Sequence, residues 1–244
     1  APDVSRDDVF AAAGTSARAL QDAGDRGAAV TAAATGAAAL AARWAAAGEL
    51  EGVIGLGGSA GTTIATAAMR ALPLGVPKVM VSTLASGQVR PWVGDSDVMM
   101  LNSIVDISGL NRISRSVLDT AARAMAGLVT GPAAEPVESD RPLVAATMFG
   151  VTTPCVERAR QRLEESGFEV LVFHATGNGG QAMESLIDGG LISGVLDLTT
   201  TELADELVGG ILSAGPDRLT AAGRQAVPQV ISVGATDMVN FGPR

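Results

Sequence analysis

Little in this chain stacks, cross-links or concentrates positive charge. Its 244 residues include one cysteine and no tyrosine, and aromatics make up only 3%. The lone Cys155 excludes an internal disulfide framework and suits a reducing compartment. Few aromatics leave few platforms on which single-stranded bases could stack. Lys78 and His174 are the sole lysine and histidine, so Cys/His metal spacing is missing and no zinc site is expected. Lys and Arg number 17 against 26 Asp and Glu, a net charge of −9. Direct nucleic-acid binding is not expected from that balance, because phosphate-backbone contacts need clustered cations. The most apolar stretch, 30–42, is Ala-rich and stops at Arg43, short of the ~20 residues that span a bilayer. No basic n-region or cleavage pattern is visible. The expectation is a cytoplasmic chain without a membrane partner.

The composition itself is globular, with 47% hydrophobic residues and 30 glycines. A short apolar run, a glycine-rich turn and an Ala-rich helical stretch alternate along it. Near-continuous apolar runs at 52–56, 78–83, 98–103, 143–148, 169–174, 194–198 and 229–233 predict strands buried on both faces of a parallel sheet. Helical patterns fall at 26–48, 62–72, 112–128, 154–166, 181–187 and 202–212. This order predicts an α/β protein of βαβ units, two Rossmann-like doubly wound domains with mainly parallel sheets. The stretch T-G-P-A-A-E-P-V-E-S-D-R-P at 130–142 reads as a linker. It separates a first domain at 1–130 from a second domain at 143–244, with 131–142 between them. Ligands in such folds bind outside the carboxyl ends of the strands.

The first such position holds Gly57-Gly58-Ser59-Ala60-Gly61-Thr62-Thr63, between a predicted strand and helix. Glycines admit a close anion, a helix N-terminus offers unpaired N–H groups, and Ser59, Thr62 and Thr63 add hydroxyls. A phosphate group fits this chemistry, and so does a tight turn that needs small residues for packing. The Walker ending Gly-Lys-Ser/Thr is missing, and so is the full G-x-G-x-x-G dinucleotide pattern. Ser82, Thr83, Ser86 and Gly87 follow the next strand and are expected to share the crevice. Gly57 to Gly61 also fits G-x-S-x-G, the nucleophile elbow, which would use Ser59 with Asp95 or Asp97 and His174. No H-G-G-G oxyanion segment accompanies it. Asp95 and Asp97 also read as a water-mediated Mg²⁺ pair or a solvated turn. Cys155, at a predicted helix start, is read as structural.

The second half repeats the arrangement. His174, Thr176, Gly177, Gly179 and Gly180 follow one strand, and Thr199, Thr200, Thr201 and Glu202 follow the next. Hydroxyls before a helix with an acidic residue in its first turn are ordinary capping, but three threonines exceed one cap. A second polar site is the alternative to capping here.

Several strings together resemble one family. Gly52-Val53-Ile54-Gly55-Leu56-Gly57-Gly58-Ser59-Ala60-Gly61-Thr62 is one, and Gly75-Val76-Pro77-Lys78 another. Ser108-Gly109-Leu110-Asn111, Thr147-Met148-Phe149-Gly150, Asp197-Leu198-Thr199-Thr200-Thr201-Glu202 and Asp237-Met238-Val239-Asn240-Phe241-Gly242 belong to the same pattern. The chain resembles a largely uncharacterised bacterial and plant family that includes the N-terminal half of a tomato tobamovirus-resistance protein. The resemblance implies a two-domain Rossmann-like protein that forms a homodimer and binds ATP in its first domain, through Gly57 to Thr62. Mg²⁺ is expected to accompany the ATP. It brings no established reaction and no catalytic residue. It also implies that the chain lacks a strand and helix before Pro2 and a segment after Gly242. The leading expectation is therefore a nucleotide-binding protein. An enzyme acting on a small organic acid or phosphorylated metabolite at an interdomain crevice stays open beside it, as does a serine hydrolase using Ser59.

Overall fold

The computed structural model describes residues 2–132 and 141–242. The chain divides into two compact units, 1–134 and 135–244. Most of the segment read as a linker, 133–140, lies outside the described residues. Each unit is α/β with a parallel sheet and helices on both faces, a Rossmann-like doubly wound arrangement.

In the first unit, α1 (Arg6–Ala12), α2 (Ala17–Ala23) and α3 (Arg26–Ala46) precede the sheet. Ser5, Ser16 and Asp25 cap them, each side chain accepting an N–H of the first turn. No residue of α1 or α2 is buried, so no apolar stripe announces them in the sequence. Then come β1 (Val53–Gly57), α4 (Ser59–Arg70), β2 (Lys78–Ser82), α5 (Arg90–Val93), β3 (Met99–Asn102) and α6 (Arg112–Thr130). The strands lie in the order β1-β2-β3, all parallel. Alternation along β2 sends Val79 and Val81 to one face, against Val117, Ala121 and Met125 of α6. Gly55 and Met80 face the other side, where Ala65 and Met69 of α4 approach. Ala41, Ala68 and Leu72 then join α3 to α4.

The second unit runs β4 (Leu143–Met148), a 3₁₀ turn (Gly150–Thr152), α7 (Thr153–Glu165), β5 (Glu169–His174), α8 (Asn178–Asp188), β6 (Gly194–Thr199), α9 (Thr201–Val208), α10 (Ala221–Arg224) and β7 (Gln229–Gly234). The order is β5-β4-β6-β7, again parallel. Ala146 packs with Val156 and Leu163 of α7, while Ala145 packs with Met183 and Ile187 of α8 and Ala221 and Ala222 of α10. The chain leaves β4 for one neighbour and then returns past it to β6. The reversal of strand order therefore lies between β4 and β6, where doubly wound sheets open a crevice.

All seven predicted strands are present, with ends shifted by at most a residue or two. Two helices begin three residues earlier than their patterns predict: α4 at Ser59 and α8 at Asn178. In α4 the reason is Gly57. A Cβ on it would lie 2.6 Å from the Gly61 Cα, so only glycine lets the helix start directly against the strand.

Candidate functional site

The early start of α4 turns most of the expected glycine loop into helix. Gly58 alone links β1 to α4, and Ser59 to Thr63 form the first turn. Gly58 takes an extended conformation (φ −80°, ψ −153°) and no side chain caps the helix. A Cβ built on Gly58 would meet only the Thr83 hydroxyl, at 3.6 Å. The first N–H groups of α4 therefore lack a side-chain cap at the positive end of the helix dipole, and the Cβ position of Gly58 beside them is open.

The hydroxyls divide into two sets. Thr62 is fully buried and its Oγ1 lies 2.7 Å from the Ser82 Oγ, which also accepts the Leu84 N–H at 3.0 Å. Thr63 Oγ1 donates to the Ser59 carbonyl at 3.0 Å and accepts the Trp92 indole N–H at 3.2 Å. These three groups hold α4 to β2 and α5. Ser59 and Ser86 are exposed, and Thr83 is half-buried beside Gly58. Thr83 N–H donates to the Gly57 carbonyl at 3.3 Å, and Gly87 N–H closes a turn on Leu84 at 3.1 Å.

The corresponding position in the second unit is occupied by the protein itself. Glu202 Oε1 accepts the Gly177 N–H at 2.7 Å and the Gly180 N–H at 3.1 Å, at the N-terminus of α8. Gly177 sits at φ +83°, which glycine tolerates. A Cβ on Gly180 would collide with the Glu202 carboxylate, and one on Gly179 with the His174 carbonyl. An internal carboxylate thus fills the anion position that the second glycine turn creates.

Glu202 belongs to a buried cluster around Arg218. The guanidinium is bidentate on Asp197, at 2.6 and 2.7 Å, while its Nε donates to Glu202 at 2.7 Å and Nη1 to Glu184 at 3.2 Å. Glu184 also accepts the N–H groups of Leu219 and Ala221, both at 2.8 Å. Burial pushes the Glu202 carboxyl above its usual pKa, outweighing Arg218 and the two glycine N–H groups. Burial works to lower the Arg218 pKa, but Asp197 and Glu202 raise it further still. Thr147 Oγ1 donates to Asp197 at 2.7 Å, and Thr199 Oγ1 donates to the Thr147 carbonyl at 3.0 Å. Thr200 and Thr201 donate to the carbonyls of Ser232 and Met238. All three threonines are buried and tie β6 and α9 to their neighbours. His174 is exposed at the end of β5, its ring 5.4 Å from Phe149, and the Thr176 hydroxyl donates to its carbonyl at 3.3 Å.

Arg218, Asp197 and Glu184 were not singled out in the sequence. The available signal was Asp197, an acid inside the apolar run Val195-Leu196-Asp197-Leu198, which demands a buried partner. Asp97, read with Asp95 as a water-mediated Mg²⁺ pair or a solvated turn, is a partner of Lys78. Lys78 Nζ is buried and donates to Asp97 at 2.6 Å, to the Pro73 carbonyl at 2.8 Å and to the Val76 carbonyl at 3.0 Å. Lys78 is the first residue of β2, so this pair sits at the end of the sheet away from Gly58. Among the described residues no group of three or more His, Cys, Asp or Glu could hold a metal ion, and no helix is long and apolar enough to cross a membrane. Cys155 is exposed in the first turn of α7.

Both units also carry a recognisable family pattern. Residues 1–134 match the N-terminal domain of an uncharacterised protein family, UPF0261, and residues 141–244 match its C-terminal domain. The chain belongs to the UPF0261 family. A UPF0261 protein of Clostridium tetani is 53% identical over 242 residues, 99% of this chain and 60% of that protein. The ToMV resistance protein Tm-1 of Solanum lycopersicum is 52% identical over 200 residues, 80% of this chain and 26% of its own length. The tomato ToMV susceptible protein matches at the same 52%. This chain therefore spans 60% of the length of the Clostridium relative and 26% of that of the tomato proteins.

Proposed function

We propose that this UPF0261 chain binds a nucleotide, with its phosphates at the N-terminus of α4. One contrast supports the reading. Of the two glycine turns at strand ends, the α8 turn is filled by Glu202, while the α4 turn has no side-chain cap and open space at Gly58. The N–H groups of Ser59, Ala60 and Gly61 would hold phosphate oxygens, with the Thr83 hydroxyl beside them. ATP is the nucleotide that the family resemblance implies. Any Mg²⁺ would arrive on the phosphate oxygens, given the donor sets described above. A homodimer belongs to the same proposal. The resistance in the tomato protein's name is left with that protein, since its susceptible counterpart matches equally well.

Gly58→Asp tests the reading. The new carboxylate would cap α4 from the N-cap position, as Glu202 does for α8 from a distance. Titration calorimetry with MgATP is expected to show affinity at least about tenfold weaker. The melting midpoint should hold or rise slightly, because Asp is better than Gly at an N-cap by roughly 0.3 kcal/mol. Unchanged ATP affinity in the capped variant would count against the site.

A further inference from the structure

A second feature lies on the same edge of the first sheet. Beneath the segment joining β3 to α6 is an apolar cleft of about 210 Å³, bounded by Val81 of β2, by Val105, Ile107 and Leu110 of the segment, and by Val117 and Leu118 of α6. Its two serines are engaged internally. Ser103 Oγ donates to the Val105 carbonyl at 2.7 Å, and Ser114 Oγ accepts the Asn111 N–H at 2.9 Å and donates to the Asn111 carbonyl at 3.2 Å. The lining side chains therefore offer apolar surface rather than hydrogen bonds. Ile104, in the same segment, is 71% exposed and sits at φ +64°. A β-branched residue takes that conformation only where its surroundings impose it, so the segment has a defined shape without burying its own apolar side chains.

The cleft and the glycine turn both border the end of β2. Ser103 N–H donates to the Ser82 carbonyl at 3.1 Å, and the Ser82 hydroxyl meets Thr62 in the first turn of α4. Two strand spacings, about 10 Å, separate β3 from β1. The cleft opens on the α6 face of the sheet and α4 begins on the other. A ligand anchored at α4 would have to cross the end of β2 to enter the cleft.

We infer that this cleft receives the planar base of the nucleotide whose phosphates lie at α4, an inference that rests on the nucleotide reading. Its volume is below the ~300–1,000 Å³ of sites that enclose a whole small molecule, and matches a ring better than an entire nucleotide. Recognition is by shape and apolar contact, so bases of similar size are poorly distinguished.

The test is titration calorimetry of the chain with MgATP, MgGTP, adenosine and inorganic tripolyphosphate. Val117→Phe fills the cleft from α6. Leu110→Ser strips its rim at a position already 64% exposed, where the core is not at stake. The expected result is MgATP and MgGTP affinities within about fivefold of each other. Val117→Phe should weaken MgATP at least about tenfold and Leu110→Ser about threefold, with tripolyphosphate unchanged. MgATP affinity untouched by both substitutions overturns the inference and leaves the phosphate site standing; that is the outcome if another protein occupies the cleft. Equal loss of MgATP and tripolyphosphate also overturns it, since the substitutions would then act on the fold. Adenosine binding lost in Val117→Phe, in a chain that ignores tripolyphosphate, would keep the cleft and remove the phosphate reading. A chain that binds none of the four overturns both.

Discussion

Lys78 shows how one residue can hold an edge of a fold without entering its chemistry. Its ammonium places all three donors on oxygens, two carbonyls and Asp97, inside the unit. Replacing it with methionine leaves those carbonyls and a carboxylate without their cation, at a cost of about 2 kcal/mol. The pH dependence should change as well. Burial acts to raise the Asp97 carboxyl, but Lys78 and the Gly75 N–H override it and hold its pKa below the usual value. A lowered carboxylate stabilises the fold above its unfolded-state pKa, and that contribution is lost as pH falls through the lowered value. Both tryptophans, Trp44 and Trp92, lie in the first unit, so their fluorescence in urea reports on it. The wild-type midpoint should fall between about pH 5 and pH 3, and the fall should be shallower in Lys78→Met. An identical pH profile in the variant would mean that Asp97 is not the group responsible.

Among the elements, α3 illustrates why small residues were legible and their partner was not. The Ala-rich run reads as a helix suited to close packing, which the sequence alone would assign equally well to another subunit. In the structure that packing is internal. Ala37, Ala41 and Ala45 face α4 through Ala68 and Leu72. A Cβ on Gly36 would lie 1.9 Å from the Val9 carbonyl oxygen of α1. Gly36→Ala separates two effects of opposite sign. Alanine favours an isolated helix by about 1 kcal/mol, whereas the clash forces α1 away. Because α1 buries no residue, the sheet should survive while the N-terminal helices loosen. Limited trypsin digestion is expected to cut after Arg18 about tenfold faster, and a slower cut would show that the α1 contact is slack.

On the scale of the whole molecule, each unit has its own apolar cores and its own buried ionic anchor. In the second unit the anchor is Arg218, which forms ion pairs with Asp197, Glu202 and Glu184. Arg218→Leu leaves three carboxylates without it and should destabilise that unit by about 3–5 kcal/mol. The loss should appear as an early far-UV transition that tryptophan fluorescence does not follow. Glu202 adds a pH dependence opposite to that of Asp97. With its folded pKa raised, it favours the fold below the unfolded value and loses that contribution as pH rises through the raised one.

The alternation of apolar runs and helical patterns determined the α/β class and all seven strands, but the expected burial on both faces holds only for β2 and β4; Ile54 and Leu56 of β1 and Val230, Ile231 and Val233 of β7 are exposed. The same order placed both glycine turns at carboxyl ends of strands. What distinguishes the two turns is decided only in three dimensions. Glu202 lies 22 residues from Gly180 along the chain, and no local pattern shows that its carboxylate reaches the α8 N-terminus. Nor does spacing show that the Thr62 hydroxyl turns inward to Ser82 while Gly58 stays uncovered. Local sequence sets which segments become strand or helix, through periodicity and backbone preference. Which polar groups satisfy one another, and which remain open to a ligand, depends on contacts that exist only after the sheets have formed.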